Sequence, residues 1–295
     1  MILAILLALL ALIGAAFAIA LVRAALRRGE LRPRSEAVAL GAVANFFDTL
    51  GIGSFAPSTA WFRFRRLIPD SHIPATLNVG HALPTIAQSA IFLVLLGVAV
   101  DATLLAGCVL SAMVGGIVGA RLAVRAPVRA VQAIVGVALL IAAALYAMTN
   151  LNLFPAGGSA SALPTHWTAL AIAAHFLMGA LMAFGVGLYA PSLVLLSLLG
   201  LDPRLAFPIM ASACAFLMPA TGFRFIQSQR IDLRVALGMA LGGVPAVLLA
   251  AFVVKELPIV WLRWGVVAVV LYAAAMLLIA ASGKEPHDTH KQAGA

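Results

Sequence analysis

Asp48 is the only carboxylate that lies well inside one of the long apolar segments of this sequence. Asn45, Asp48 and Thr49 follow the spacing i, i+3, i+4, so a helix would carry all three on one face. An ionisable side chain in such a segment is costly and usually has a function. We expect Asp48 to bind a proton or, less readily, a metal cation. The alternative is a buried carboxylate that ties down its own segment through hydrogen bonds.

A second group of polar residues follows at helical spacing. Asn78, His81, Thr85 and Gln88 are separated by three, four and three residues, which places them within an arc of about 80° on a helix. We expect this stripe to face a cavity or the segment of Asp48 instead of lipid. His81 is either a hydrogen-bonded core histidine or a pH-sensitive group of the site.

Two short motifs repeat glycine and proline at one spacing. They are Gly51-Ile-Gly53-Ser54-Phe-Ala-Pro57 and Gly185-Val-Gly187-Leu-Tyr189-Ala-Pro191. Glycine permits a tight turn and close approach, and proline fits the first turn of a helix. Each motif predicts a helix break followed by a returning half-helix, whose free N–H groups and dipole would favour an anion. We expect Ser54 to cap the first half-helix. The candidate substrate-binding residues here are Gly51, Gly53, Ser54, Pro57, Gly185, Gly187, Tyr189, Pro191 and Ser192.

The composition identifies the setting of these motifs. Of 295 residues, 64% are hydrophobic and 10% charged, and the mean hydropathy is +1.11, whereas soluble domains average about 45–50% apolar and about 25% charged residues. The apolar runs are roughly 20 residues long, as in an all-α polytopic membrane protein. The first run, from Met1 to about Val22, lacks the basic start of a signal peptide, and we expect a retained span.

The sequence contains an internal repeat. An offset of 134 residues superposes the two glycine–proline motifs and pairs Pro74 with Pro208, and an offset of 131 pairs Asp101 with Asp232. Under the 134-residue offset, Ser212 of the second copy corresponds to Asn78 of the polar stripe. The other three residues of the stripe correspond to small or apolar residues. We predict an N-terminal transmembrane helix with a basic cytoplasmic loop at 1–35, followed by two repeat copies at 36–149 and 166–281. An external linker at 150–165 joins the copies, and a cytoplasmic tail follows at 282–295. Each copy would hold one interrupted segment and three ordinary spans. The interrupted segments are about 36–62 and 166–199, and the spans are about 74–97, 102–124, 128–148, 205–226, 233–254 and 259–281.

The distribution of basic residues predicts the topology. The net charge is +9, carried by short clusters between apolar runs, which indicates orientation in the membrane and not nucleic-acid binding. If both interrupted segments are re-entrant hairpins, sixteen of the 19 Lys and Arg residues fall on one side. If both cross the membrane, the bias disappears. The positive-inside rule favours hairpins, inverted repeats, an external N-terminus and a cytoplasmic C-terminus. Two parallel four-span copies are the alternative.

Other chemical signatures are missing from the sequence. There is no Gly-x-Ser-x-Gly, His-Glu-x-x-His or P-loop motif, so we predict no enzyme, no catalytic residue, no metal site and no cofactor. Cys108 and Cys214 lie in apolar runs and are expected to be core residues. His287 and His290 are expected in a solvated tail. Glycines at Gly115-x-x-x-Gly119 and Gly238-x-x-x-Gly242 are expected to permit close helix packing.

The paired Gly-x-Gly-x-x-x-Pro motifs, with about four hydrophobic segments in each copy, resemble the TauE/SafE sulfite exporter family. The stretch from Gly222 to Asp232 also looks like a basic loop of that family. The glycine run at each hairpin tip is shorter than in many members, and residues 45–54 look like a subgroup feature. The resemblance implies a bacterial inner-membrane permease for sulfite or a related sulfur-containing anion.

We therefore expect a secondary permease with its site between the hairpin tips near the membrane midplane. The expected partners are a small anion, membrane lipid and a proton as coupling ion carried by Asp48, with a homo-oligomer as a further possibility. An importer of a sulfur compound or small organic acid is the first alternative. A non-transporting membrane subunit is the second, and an intramembrane enzyme is disfavoured because no nucleophile–base pair is recognisable.

Overall fold

The structure is a computed structural model that describes residues 2–50, 53–96, 100–153 and 158–253, together with positions 264, 267–268, 271, 274–275, 277–279 and 281–282. Within these residues the chain is helical, and the only β-type pairing is one bridge between Ala160 and Leu201. The helices are α1 (Ile2–Arg28), α2 (Ser35–Thr49), α3 (Phe55–Arg65), α4 (Ile73–Gly80), α5 (Ala82–Leu96), α6 (Ala102–Ala123), α7 (Val128–Asn150), α8 (Thr165–Met182), α9 (Tyr189–Leu198), α10 (Pro203–Gln227) and α11 (Leu233–Val253), with a 3₁₀ turn at Asp70–His72.

Seven stretches of the described residues are long and apolar enough to cross a membrane. They are Leu3–Arg28, Asp70–Leu95, Ala102–Ala123, Val128–Leu145, Thr165–Met182, Leu205–Gln227 and Leu233–Ala251. Six of the seven spans expected from the sequence are among them, and the last, at 259–281, lies largely outside the described residues. The additional stretch is α8, the first limb of the second interrupted segment. The chain is a multi-pass membrane protein.

Helix α10 lies at the centre of this bundle. Its apolar window is 78% buried, whereas that of α1 is 22% buried, as expected for a helix that lies against the outside of the others. Helix α10 packs on α1, α4, α5, α6 and α9. Phe17 of α1 fills the space beside Gly222 of α10 and makes an edge contact with Phe223, with ring centroids 5.6 Å apart.

Basic residues mark one end of the bundle, which we call the basic end. Arg28, the last residue of α1, donates to the carbonyl of Ile226 in the last turn of α10 and to that of Ser228 just after α10. Arg34, before α2, pairs with Asp232 at 3.0 Å and donates to the carbonyl of Leu67 beyond α3. The starts of α2 and α11 and the ends of α1, α3 and α10 therefore meet at this end.

The second interrupted segment begins and finishes at the opposite end. The backbone of Ala160, just before α8, pairs with Gly200 and Asp202, just after α9. The N–H of Asp101 bonds the carbonyl of Ser161, which brings the start of α6 to the same place. The residues just before α2 thus contact those just after α3, and the residues just before α8 contact those just after α9.

Each interrupted segment packs closely against a helix of the other copy. Helix α2 contacts α11, where a Cβ on Gly242 would overlap the carbonyl oxygen of Val38. Helix α8 contacts α6, where Cβ atoms on Gly115 and Gly119 would overlap the carbonyl oxygens of Phe176 and Ala180. The expectation that these GxxxG motifs permit close helix approach is confirmed.

The two copies also share their helix capping. The Asp101 side chain accepts from the backbone N–H of Leu104 at 2.8 Å, and Asp232 accepts from that of Val235 at 3.0 Å. Both aspartates are N-caps, of α6 and α11 respectively, so the residues paired by the 131-residue offset have the same structural role.

One expected span is divided. The sequence predicted one continuous helix over 74–97, but a turn at His81 separates α4 from α5. Pro84 lacks the N–H that would bond the Gly80 carbonyl, and this interruption explains the turn. The span expected at 74–97 is nonetheless found, as the membrane-length stretch Asp70–Leu95 that contains this turn.

Candidate functional site

Both glycine–proline motifs lie at helix breaks. The first break separates Thr49 from Phe55, and the second separates Met182 from Tyr189. Gly53 and Gly185 have φ values of 85° and 96°, in the left-handed region that favours glycine. These two glycines are not partners under the 134-residue offset, so the two turns differ in detail. Gly51 lies outside the described residues.

The prolines lie where the sequence placed them. Pro57 is the third residue of α3, and Pro191 is the third residue of α9. The first turn of a helix has no intrahelical use for the N–H that proline lacks. Both returning helices therefore begin directly after their glycine turns.

The two breaks approach each other. A Cβ on Gly187 would lie 3.8 Å from the Cβ of Phe55, the first residue of α3. A Cβ on Gly185 would lie 3.8 Å from the Cα of Pro74 and 3.4 Å from the side chain of Leu77. Phe55 is buried, while Gly187 retains exposed surface. The start of α3 and the turn before α9 thus form one neighbourhood.

Asp48 lies in this neighbourhood and is 4% exposed. Its carboxylate faces the backbone N–H and hydroxyl of Ser54 and the side-chain amide of Gln88. It also interacts electrostatically with Tyr189 and Cys214. The acidic group thus belongs to the first copy, and the phenol and the thiol within range of its charge belong to the second.

The expected cap by Ser54 was wrong. Ser54 is the residue that precedes α3, and its carbonyl accepts from the N–H of Ser58 at 3.2 Å, but its side chain forms no capping hydrogen bond. The hydroxyl is turned to Asp48 instead. An N-cap uses the serine oxygen as an acceptor for an N–H of the first turn, whereas here the side chain is oriented so that its hydroxyl donates to the carboxylate.

His81 links the three elements of the first copy that surround the break. Its Nδ1 lies 2.9 Å from Oδ1 of Asn45, and its Nε2 lies 3.0 Å from Oγ of Ser58. Asn45 uses its amide nitrogen to donate to the Gly41 carbonyl at 2.7 Å, so its oxygen accepts from Nδ1 of His81. Nε2 is then free to accept from the Ser58 hydroxyl. All three side chains are fully buried.

The second copy contains a similar contact that the sequence analysis missed. Nε2 of His175 on α8 lies 2.9 Å from Oγ of Ser192 on α9, and Nδ1 lies 2.8 Å from the Ala171 carbonyl. Ser58 and Ser192 are partners under the 134-residue offset, but the two histidines are not. The repeat contained the signal for Ser58, because both motifs continue Pro-Ser. His175 has no comparable polar neighbours at helical spacing.

These contacts correct one expectation. The sequence showed no nucleophile–base pair, whereas Ser58 and His81 stand at the distance of such a pair, with Asn45 as the third group. Their complete burial closes the Ser58 hydroxyl to substrate and water in this structure. We assign the serine–histidine contacts to the positioning of α3 and α9.

Four further predicted residues, on α2, α4, α5 and α10, are buried. Asn78 donates to the carbonyl of Met182 at the end of α8, at 2.9 Å. Thr49 donates to the Asn45 carbonyl at 2.9 Å. Ser212 lies 3.5 Å from Ser89 between hydroxyl oxygens. Thr85 is 3% exposed, so the polar stripe faces protein, as expected.

Four buried polar atoms of the neighbourhood have no hydrogen-bond partner among the described residues. They are Thr59 Oγ1, Asn78 Oδ1, Gln88 Oε1 and the Tyr189 hydroxyl. Buried polar groups are normally satisfied, so these atoms indicate where a ligand, a proton or water completes the arrangement.

Residues 167–295 match the family described as Sulfite exporter TauE/SafE. No curated protein and no solved structure matches the chain. The match confirms, over the second copy, the resemblance drawn from the glycine–proline motifs. Residues 167–295, somewhat less than half of the chain, are thus similar to the family of sulfite exporters named TauE/SafE.

Proposed function

We propose that this protein is a secondary permease that exports sulfite or a related sulfur-containing or organic anion across the bacterial inner membrane. The observation that carries the proposal is the meeting of the two helix breaks, with Gly187 beside Phe55. Where helices are broken inside a bundle, their ends have free backbone N–H and C=O groups that can bind a substrate. In an uninterrupted span the same groups are bonded within the helix. The match to the family of sulfite exporters supports an anion as cargo.

The arrangement of ends supports inverted repeats and re-entrant hairpins. The carboxylate of Glu36 at the start of α2 accepts from Trp61 and Arg65 near the end of α3, at 3.0 and 2.9 Å, so the first segment returns to its origin. The second segment returns at the opposite end, beside Ala160. With the basic end in the cytoplasm, the N-terminus lies outside and the C-terminus inside.

We place the anion at the start of α9. At the start of α3, the donors of Ser54 already face the carboxylate of Asp48. The counterparts of Asp48 and Ser54 in the second copy are Met182 and Leu188, so the second copy has no carboxylate of its own at the α9 N-terminus. The Tyr189 hydroxyl, which has no hydrogen-bond partner among the described residues, supplies a further donor.

Export needs no coupling on energetic grounds, because an inside-negative potential drives an anion outward with about 2.3 kcal/mol per charge per 100 mV. The test is flux of sulfite, sulfate, thiosulfate and a small sulfonate in proteoliposomes of the purified protein, compared with empty vesicles. Saturable flux of one anion, outward under an inside-negative potential, is expected. Inward flux against that potential would favour the importer, and no flux of any anion by folded protein would favour the non-transporting subunit.

A further inference from the structure

Asn78 presents a buried hydrogen-bond acceptor whose orientation is fixed. Its Nδ2 donates to the carbonyl oxygens of Pro74 and Met182, each at 2.9 Å. Both amide hydrogens are therefore used, and a flipped amide would turn its oxygen toward two carbonyl oxygens. Oδ1 of Asn78 is fully buried and accepts from no donor among the described residues. Its missing partner is a group that brings an N–H or an O–H.

The face of α4 that carries Asn78 lies against the second helix break. Pro74, Leu77 and Asn78 follow the spacing i, i+3, i+4, so they share one side of the helix. A Cβ on Gly185 would lie 3.8 Å from the Cα of Pro74 and 3.4 Å from the side chain of Leu77. Asn78 itself bonds the carbonyl of Met182, the last residue of α8. The amide of Asn78 therefore stands at the break after which α9 begins.

An anion that has only oxygen acceptors leaves this atom unpaired. The oxygens of sulfite, sulfate and simple sulfonates accept hydrogen bonds and donate none, like those of an ionised carboxylate. The groups that suit such oxygens are the first N–H groups of α9 and the Tyr189 hydroxyl, which is buried without a partner among the described residues. The second break thus combines donors for an anion with one acceptor, Oδ1 of Asn78, for a hydrogen on the same ligand.

We infer that the transported anion carries a hydrogen-bond donor of its own, and that Oδ1 of Asn78 accepts from it. The inference rests on the proposed function, because it names the chemical form of the anion held at the start of α9. For sulfite this form is the hydrogensulfite monoanion. Among sulfonates it is one with an amino or hydroxyl group close to the sulfur. The sulfate dianion and unsubstituted alkyl sulfonates leave Oδ1 of Asn78 buried and unpaired, which weakens their binding.

Sulfamate and methanesulfonate form a matched pair of probes. Both are singly charged anions of similar size that stay ionised around neutral pH, but sulfamate has an NH₂ group where methanesulfonate has a methyl group. Calorimetric titration of the purified protein in detergent compares their affinities. We expect sulfamate to bind about 5- to 150-fold more tightly, the range for an unpaired buried acceptor. Equal affinities, or tighter binding of methanesulfonate, would overturn the inference.

Three variants separate the acceptor from the rest of the site. Asn78→Leu removes Oδ1 and should bring the two affinities together. Tyr189→Phe removes a donor to the oxygens that both anions share, so it should weaken both and leave their ratio unchanged. Ser111→Ala is the matched control, because the Ser111 hydroxyl donates to the Ile172 carbonyl of α8 at 2.7 Å, and the variant loses a bond to α8 without touching the acceptor. Retention of the preference in folded Asn78→Leu, or its loss in Ser111→Ala, would contradict the inference.

The wild-type comparison tests the inference even if Asn78→Leu does not fold, and flux in proteoliposomes separates it from the proposed function. Sulfamate should compete with sulfite for transport more strongly than methanesulfonate does. If sulfite is carried while sulfamate neither binds nor competes, the inference fails and the permease stands. If no anion is carried but sulfamate still binds in preference to methanesulfonate, transport is excluded and the binding site stands.

Discussion

Close packing of α8 on α6 should make alanine at Gly179 destabilising. A Cβ there would lie 2.8 Å from the carbonyl carbon of Ala112 and would overlap the carbonyl oxygen. Alanine gains at most about 1 kcal/mol of helix propensity over glycine, whereas an overpacked contact costs about 1–3 kcal/mol. Because backbone and not a flexible side chain receives the new methyl group, the two helices must separate. The net loss is up to about 2 kcal/mol.

Gly14 on α1 offers the matched control. A Cβ there would lie 3.4 Å from Cγ2 of Ile86, an ordinary contact, so Gly14→Ala retains the propensity gain without the overlap. The assay is thermal unfolding of the purified protein in detergent, with Gly242→Ala as the equivalent test on the α2–α11 contact. We expect Gly14→Ala to unfold at or above the wild-type temperature, and Gly179→Ala and Gly242→Ala to unfold below it. Stabilisation of all three variants alike would refute the close helix packing.

Three further predictions concern other contacts. Ser192→Ala should destabilise by about 1–3 kcal/mol, because it leaves Nε2 of His175 unpaired, and a double-mutant cycle with His175→Phe should show coupling; additive losses would contradict the contact. Asp101→Ala should cost about 1 kcal/mol through the lost N-cap, measured by thermal unfolding; an unchanged midpoint would contradict the cap. The hydrogen bond from Arg65 lowers the pKa of Glu36, so its small contribution to stability is present at neutral pH and lost as pH falls through the lowered pKa. Glu36→Gln should flatten the acid limb of the stability profile.

Much of the framework could be predicted from residue types and spacing. Glycine and proline at Gly53, Pro57, Gly185 and Pro191 are local determinants, since their backbone preferences act without tertiary context. The helix breaks, each followed by a further helix, therefore occur where these residues predicted them.

Contacts between distant elements were less predictable. Ser54 has the residue type and position of an N-cap. Whether its side chain bonds the first turn of α3 or the Asp48 carboxylate depends on the conformation of the turn, which the sequence does not specify. His175 gives no sequence signal of its partner, because Ser192 lies beyond a helix break and the other copy uses His81 from a different helix. The turn at His81 follows from Pro84. Because proline has no N–H, the carbonyl of Gly80, one helical turn earlier, loses its hydrogen bond.

The central claim is that the anion passes between the two breaks, and Gly187 tests it most directly. Gly187 has no left-handed φ and no atom nearer than 3.8 Å to an added Cβ, so the backbone and the first carbon of a side chain are accommodated without strain. Flux of the transported anion should be compared in proteoliposomes of the wild type, Gly187→Ala and Gly187→Leu, with unfolding temperatures measured alongside. We predict equal unfolding temperatures, substantial flux in Gly187→Ala and its loss in Gly187→Leu. Wild-type flux in folded Gly187→Leu would contradict a pathway between the breaks.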